Sequence, residues 1–263
     1  MRLSNITIGA DPELFIINKK TNKIVSAVGL IPGSKDNPWR AEDFAKGFGL
    51  QTDNILAEFN IPPVTTKEEF VDAIQYMKNY IDNYVRNINP DLGIKCAASN
   101  IIPESELQSD QAKQFGCDKD YNVYTQKANP KPEGTKTNIR SCGFHIHFGY
   151  KNPNIDTSLS LIKYFDAYLG IPSVIKDKDT KRRTLYGKAG CFRLKNYGFE
   201  YRTLSSAMMK TEARLEFVWD QIIKAVNAYK TGELIPNNEE IQAAINNSDS
   251  DLAKQLIKNY NLV

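Results

Sequence analysis

Four short stretches place polar side chains two residues apart, the spacing that puts both on one face of a β-strand. They are Asp11 and Glu13 in "GADPELF", Glu58 and Asn60 in "AEFNI", His145 and His147 in "FHIHF", and Glu200 and Arg202 in "FEYRT". Apolar residues interleave or flank each pair: Phe59 and Ile61; Phe144, Ile146 and Phe148; Phe199 and Tyr201. One face should therefore pack on a hydrophobic layer while the other presents acids, imidazoles and a guanidinium. The ordinary fate of such a face is solvation, but solvated faces are dominated by Lys, Thr, Ser and Glu, and here metal-ligand types recur at matching offsets. Two like charges about 4 Å apart repel by roughly 4 kcal/mol at an effective dielectric of about 20. Asp11, Glu13, Glu58 and Glu200 thus converge cheaply only around a divalent cation. Carboxylates with an imidazole suit Mg²⁺ or Mn²⁺ better than zinc, which prefers more nitrogen and sulfur.

A second constellation is basic. Lys181, Arg182, Arg183, Lys188 and Arg193 surround "YGKAGCFRLK", Arg202 follows Glu200, and "GLIPGSK" places Lys35 after a Pro-Gly turn. Most such clusters are solvated loops. Beside an acidic, metal-binding face, however, guanidinium forks are what a polyphosphate requires, so metal and phosphate are expected together. The standard phosphate loops GxxxxGK[ST] and GxGxxG are absent, as is the GxSxG elbow. Cys142 lies near His145, but strand alternation points it to the opposite face, which argues against a thiol nucleophile.

The elements that must position these residues can be sketched from pattern. Leu3 to Ile8 and Glu13 to Ile17 read as strand, with a turn at Asn18 to Lys23 and a further apolar run after it, a β-meander. Pro12 deletes a ladder donor, which predicts a sheet edge or a bulge there. Asn54 to Ile61 reads as a strand that stops at Pro62 and Pro63. Phe70, Ile74, Met77, Ile81, Val85 and Ile88 recur at helical spacing after Thr65 or Thr66, with Glu68 and Glu69 in the first turn. Strand pattern returns at "GIKCAAS", Arg140 to Tyr150 and Gly198 to Ser206. Helices are expected over Thr157 to Leu169, stopped by Gly170 and Pro172, and over Thr211 to Lys230. The segment from Pro103 to Gly134 reads as a long loop and, with "FGCDKDYN", is the candidate lid or acceptor-recognition element. Irregular spacing and frequent hairpin-like pairs favour an α+β fold with a mostly antiparallel sheet. Residues 1–232 are expected to form the catalytic domain and 233–263 a helical appendage.

With 263 residues the chain can bury a core without staples. Its four cysteines form no CxxC pair and are expected to be reduced thiols. Lys plus Arg total 34 against 31 Asp plus Glu, a balance that excludes nucleic acid as the main partner. The N-terminal residues lack a signal peptide's apolar stretch and no run approaches the roughly 18 to 20 apolar residues of a membrane span, so a soluble, cytoplasmic protein is expected.

The ordered set "GADPELF", "DNILAEFNIPP", "GFHIHFGY" and "RRTLYGKAGCFRLKNYGFEYRTLSS" resembles the carboxylate-amine ligases of the glutamine synthetase and glutamate-cysteine ligase superfamily, in particular the phage-type amidoligases. Two positions depart from the phage-type pattern: Asn54 and Phe144 stand where glycines are expected. The resemblance implies a glutamine synthetase-like curved sheet flanked by helices, two or three Mg²⁺ or Mn²⁺ ions, ATP, and amide bond formation through an acyl phosphate. It implies that Asp11, His145 and Glu200 share one metal, that Glu13 and Glu58 hold another, and that Arg202 meets the γ-phosphoryl group. Glu58, Glu200 and Arg202 are then the catalytic set, and Lys35, Arg183, Lys188 and Arg193 join Arg202 in binding nucleotide. The role of His147 stays open between orienting the site and touching substrate. Small-molecule or peptide carboxylates and amines are the implied partners, in the cytoplasm of a bacterial host if the gene is a phage's, with homo-oligomers known in the superfamily. Two other readings remain: the HxH pair with a carboxylate as a non-haem iron site of an oxygenase, and a ligase-like binding module without activity.

Overall fold

The computed structural model describes residues 3–42, 44–113, 119–130 and 137–263. The chain opens with β1 (Thr7–Asn18), β2 (Lys23–Val25), β3 (Gly49–Asp53) and β4 (Leu56–Val64), then the long helix α1 (Lys67–Ile88). Short elements follow: β5 (Leu92–Lys95), β6 (Ser99–Ile101), α2 (Asp110–Lys113), β7 (Tyr121–Asn122) and β8 (Ile139–Ser141). After β9 (Phe144–Gly149) come α3 (Ile155–Phe165), α4 (Ile171–Lys176) and α5 (Arg182–Leu185). The hairpin β10 (Cys191–Lys195) and β11 (Gly198–Tyr201) leads to α6 (Glu212–Thr231), α7 (Asn238–Asn246) and α8 (Ser250–Tyr260).

The fold is α+β. Among the described residues a nine-stranded sheet runs β3-β4-β1-β9-β11-β10-β7, with β2 and β5 pairing the far half of β1, and every pairing is antiparallel. β6 and β8 form a separate pair. The expected break between Leu3–Ile8 and Glu13–Ile17 is absent, because β1 is one continuous strand. Nor is Pro12 at an edge: β1 lies between β4 and β9, and its register shift falls at Ile8–Ala10. There β4 carries the extra residue beside Pro62 and Pro63, so those prolines sit in a bulge within the strand and do not end it.

The apolar members of the alternating strands face the helices. Phe59, Phe144, Ile146, Phe148, Phe199 and Tyr201 lie in one buried cluster with α1, α3 and α6 residues. Phe165 packs edge-on against Phe148, Phe199 and Tyr201 with ring centroids 5.2–5.5 Å apart. Each such buried aromatic contributes about 1.5–3 kcal/mol of transfer free energy, which is how the sheet acquires one dry face and frees the other for polar work. α3 does not stop at Gly170. It continues through a π-helical turn, Asp166–Gly170, into α4. Pro172 is tolerated because the Tyr168 carbonyl, which its missing N–H would have met, accepts instead from Gln221 Nε2 at 2.9 Å.

Thr66 caps α1: its side chain accepts the Glu69 N–H while the Glu69 carboxylate accepts the Thr66 N–H. Thr66→Ala should lower stability by about 1 kcal/mol, measured as a shift in the urea midpoint at unchanged slope; an unchanged midpoint would deny the cap its role. The described helices include none long and apolar enough to cross a membrane. α7 and α8 bury Ile241, Ala244, Ile245, Ala253 and Leu256 in the same cluster as the sheet. The Asn246 side chain accepts the Ala189 N–H at 2.8 Å, which fastens α7 to the turn preceding β10.

Candidate active site

The strand register lays the polar pairs out as a grid. Asp11 stands opposite His145 and Gly9 opposite His147 across β1 and β9. His147 faces Glu200 across β9 and β11, and Glu200 faces Arg193 across β11 and β10. On the other flank of β1, Glu13 faces Glu58, and Glu58 faces Gln51 on β3. The polar face floors a cavity of about 570 Å³, whose lining includes Asp11, Glu13, Asp53, Glu58, His145, His147, Glu200, Lys35, Arg193, Lys195 and Arg202.

Two acidic groups emerge side by side. Asp11, His147 and Glu200 bring ligand atoms within 4.8 Å of one another, and so do Glu13, Asp53 and Glu58. Both imidazoles address Asp11: His145 Nδ1 lies 3.3 Å from Oδ1 and His147 Nε2 lies 3.2 Å from Oδ2. His145 Nδ1 is also 3.9 Å from Glu200 Oε1. The other His147 nitrogen bonds the Tyr197 hydroxyl. His145 is fully buried, its Nε2 turned toward Gly143, where any Cβ would run into the ring. That same Gly143 donates its N–H to Glu13, so the residue before Phe144 serves both groups through its bare backbone.

Glu200 is completely buried among cations. Arg202 Nη1 donates to its Oε1, Lys195 Nζ lies 3.1 Å from Oε2, and Arg193 Nη1 lies 3.4 Å from Oε1. Arg202 is itself clamped: its Nε donates to the Tyr186 hydroxyl at 2.6 Å and lies 3.5 Å from Asp120 Oδ2. Even so, Asp11 Oδ1, His147 Nε2 and Glu200 Oε2 are shut from solvent without a hydrogen bond of good geometry. Three unsatisfied polar atoms in one acidic group are an arrangement a cation would complete.

Electrostatics divides the two groups. Burial, and then the Arg202 guanidinium, pull His145 down to about 3, so its imidazole is neutral and keeps a lone pair. Burial would raise Asp11, but His147 and His145 outweigh it and hold that carboxyl well below its ordinary range. In the second group burial and then the Asp53 charge push Glu13 up to about 7. Burial likewise takes Asp53 to about 6 against the pull of Lys35, and burial followed by Asp11, Asp53 and Glu13 raises Glu58 well above the usual carboxylate range.

Of the residues singled out from sequence, Asp11, Glu13, Glu58, His145, Glu200, Arg202, Arg193 and Lys35 all line the cavity. Arg183 and Lys188 do not. Arg183 is buried and donates to Ser248 and Ser173, and Lys188 is exposed. Arg182 is also buried, donating to the carbonyls of Thr203 and Leu204 and lying against Gly187, whose positive φ of 69° and bare Cα the contact requires. Sequence reasoning passed over Asp53, Asp120, Tyr186 and Lys195. Asp53 was within reach, since Gln51 and Asp53 in "LQTD" obey the same rule of two. Much of "FGCDKDYN" in the expected lid lies outside the described residues.

No curated protein matches the chain. Residues 134–261 match the family model described as phage phiEco32-like COOH.NH2 ligase-type 2. The matched stretch contains β9, β10 and β11, hence His145, His147, Arg193, Glu200 and Arg202, whereas Asp11, Glu13, Asp53 and Glu58 precede it. With half of the cavity's charged grid inside the match, it supports a carboxylate-amine ligase family for this chain.

Proposed function

We propose that the protein forms an amide or peptide bond between a carboxylate and an amine at the expense of ATP. The observation that supports this most is the pairing of two acidic groups under one cavity with cations at its wall. Among the described residues, Asp11, Glu13, Asp53, Glu58 and Glu200 meet Lys35, Arg193, Lys195 and Arg202 in that lining. With every acid ionised, which burial opposes by raising Glu13, Asp53 and Glu58 in the absence of metal, these charges leave a small negative excess. Two divalent cations reverse it, and a polyphosphate then finds a positive seat.

The donor set fits Mg²⁺ or Mn²⁺: carboxylate oxygens throughout, with imidazole nitrogen in one group. Asp11, Glu200 and a histidine would hold one ion and Glu13, Asp53 and Glu58 the other. When bound, the ions would polarise the γ-phosphoryl group and neutralise charge as it develops. The chain's own work is positioning. Arg202, fixed by Tyr186 and Asp120, offers a guanidinium to a transferring phosphoryl group, and Arg193 with Lys35 neutralises phosphate oxygens. The substrate carboxylate leaves this step as an acyl phosphate, a far better acylating group than a carboxylate, and the amine displaces phosphate from it. No protein nucleophile is needed, which agrees with the inert state of Cys142, raised by burial and then by Glu13.

The purified protein with Mg²⁺ and ATP should release ADP and phosphate only when a carboxylate and an amine substrate are both present, and a pooled amino acid screen read by mass should find the dehydrated product. Millimolar ATP analogue with Mg²⁺ should raise the melting temperature, since a ligand that binds only the native state stabilises it. The absence of any shift would sink the reading.

A further inference from the structure

The segment that carries Glu200 and Arg202 is held from its other face by one buried carboxylate that the proposed chemistry does not use. Asp166 opens the π-helical turn between α3 and α4 and is completely buried. Its Oδ1 accepts from the Tyr201 hydroxyl at 2.7 Å and the Thr203 hydroxyl at 3.3 Å, and its Oδ2 accepts from the Tyr124 hydroxyl at 2.8 Å. The Gly190 N–H is a further donor.

These donors come from the pieces that surround Arg202. Tyr201 and Thr203 alternate with Glu200 and Arg202 along the chain. Tyr124 belongs to the segment that carries Asp120, which lies 3.5 Å from Arg202 Nε. Gly190 ends the turn into β10, the strand of Arg193 and Lys195, and its carbonyl accepts the Val123 N–H at 2.9 Å. An ionised carboxylate has about four acceptor sites, and these donors occupy them from three directions. Asp166 opens a π turn, a rare element that is frequent at functional sites.

We infer that Asp166 is a positioning residue: by gripping Tyr201, Thr203 and Tyr124 together it fixes Glu200, Arg202 and Asp120 relative to one another. The inference rests on the proposed function only for the metal readout below.

Asp166→Asn keeps the volume but turns one acceptor oxygen into a donor, which Tyr124 or Tyr201 must accommodate by reorienting. Because the chain has two histidines, both in the cavity, nitrogen NMR of the imidazoles reads the site without interference. His145 Nδ1 lies 3.3 Å from Arg202 Nη1, so displacement of Arg202 must move its signals. Asp166→Asn should shift the His145 resonances in metal-free protein and weaken Mn²⁺ binding by on the order of tenfold or more, the usual effect of losing an outer-shell partner. Tyr201→Phe and Tyr124→Phe, each missing one donor, should shift them in the same sense by less. Thr66→Ala is the control: Thr66 caps α1 and lies outside the cavity lining. It should lower the melting temperature and leave both readouts alone. Unchanged His145 signals in folded Asp166→Asn, or equal changes in Thr66→Ala, would overturn the inference. If Asp166→Asn does not fold, the two phenylalanine variants decide it by the same spectra. If the native protein binds no Mn²⁺, the proposed metal chemistry fails while the imidazole spectra still judge Asp166.

Discussion

Glu200→Gln should abolish both the activity and Mn²⁺ binding at the Asp11 group, and it should cost more stability than any other single change in the cavity. Glu200 is the only described anion that three cationic side chains, Arg193, Lys195 and Arg202, approach at once, and it is completely buried. Removing one partner of a buried ion pair leaves uncompensated charge and costs about 3–5 kcal/mol. Glutamine keeps the shape but offers a neutral oxygen and an N–H₂ group to guanidinium and ammonium donors, so repulsion replaces attraction. On the chemical side, loss of preorganised charge at a transition state lowers turnover by about 10²–10³-fold, and here it also sets Arg202 loose. Urea titration of the metal-free variant, a Mn²⁺ titration and an ADP-release assay measure the three consequences separately. A folded variant that still binds Mn²⁺ with native affinity would remove Glu200 from the metal group altogether.

The sequence made the polar pairs legible because strand alternation is local: residues two apart share a face whatever the strand's neighbours are. Asp11 with Glu13, His145 with His147, and Glu200 with Arg202 needed nothing more. Which pairs meet is a matter of register, and register is set by contacts between distant strands. Hence the Asp11 group draws on β1, β9 and β11, and Asp53 joins Glu13 only through the β3–β4 hairpin. Charge runs were less informative. "KRR" puts Arg182 and Arg183 side by side, yet both are interior side chains held by carbonyls and serines, because an arginine that finds good acceptors can be buried where a lysine seldom is. Proline misled in the other direction. A strand bonded on both sides loses one ladder bond at Pro12 and keeps the rest, so the residue that suggested an edge lies in the middle of the sheet. The convergence of buried Glu13 with half-buried Asp53 and Glu58 was not visible in any local pattern, and it has a thermodynamic signature of its own.

Metal-free protein should lose stability as pH rises from about 5 to 7, and Mg²⁺ should cancel most of the loss. A carboxyl whose folded value is raised, such as Glu13 at about 7, contributes stability that is fully present below its unfolded value and disappears as pH climbs through the folded one. Glu58, raised by burial and by Asp11, Asp53 and Glu13, declines in the same sense, and Asp53 gives up its share as pH climbs to about 6. His145 acts oppositely: its folded value near 3 means that protonating the unfolded chain costs stability as pH falls, an effect finished above about 6.5. Between about 5 and 6.5 it offsets the slope of one acid, and Glu13, Asp53 and Glu58 together outweigh it. Each proton that the folded state retains contributes a slope of about 1.4 kcal/mol per pH unit. A cation in the Glu13, Asp53 and Glu58 group displaces those protons and removes the slope, so the Mg²⁺-induced rise in melting temperature should grow with pH. Asp166, raised to about 7 by burial, lies outside that group and leaves a residual slope that Mg²⁺ does not touch. Glu58→Gln separates these effects, since it deletes one of the repelling charges along with a ligand. At pH 8 the metal-free variant should be about 1–2 kcal/mol more stable than the native protein and should gain little from Mg²⁺; toward pH 5 that difference should narrow, because a raised carboxyl turns to its neutral form as pH falls. Scanning calorimetry at both pH values, with and without Mg²⁺, distinguishes a metal-holding acid from a structural one, because a structural Glu58 would lose stability on substitution at pH 8 and leave the Mg²⁺ response intact.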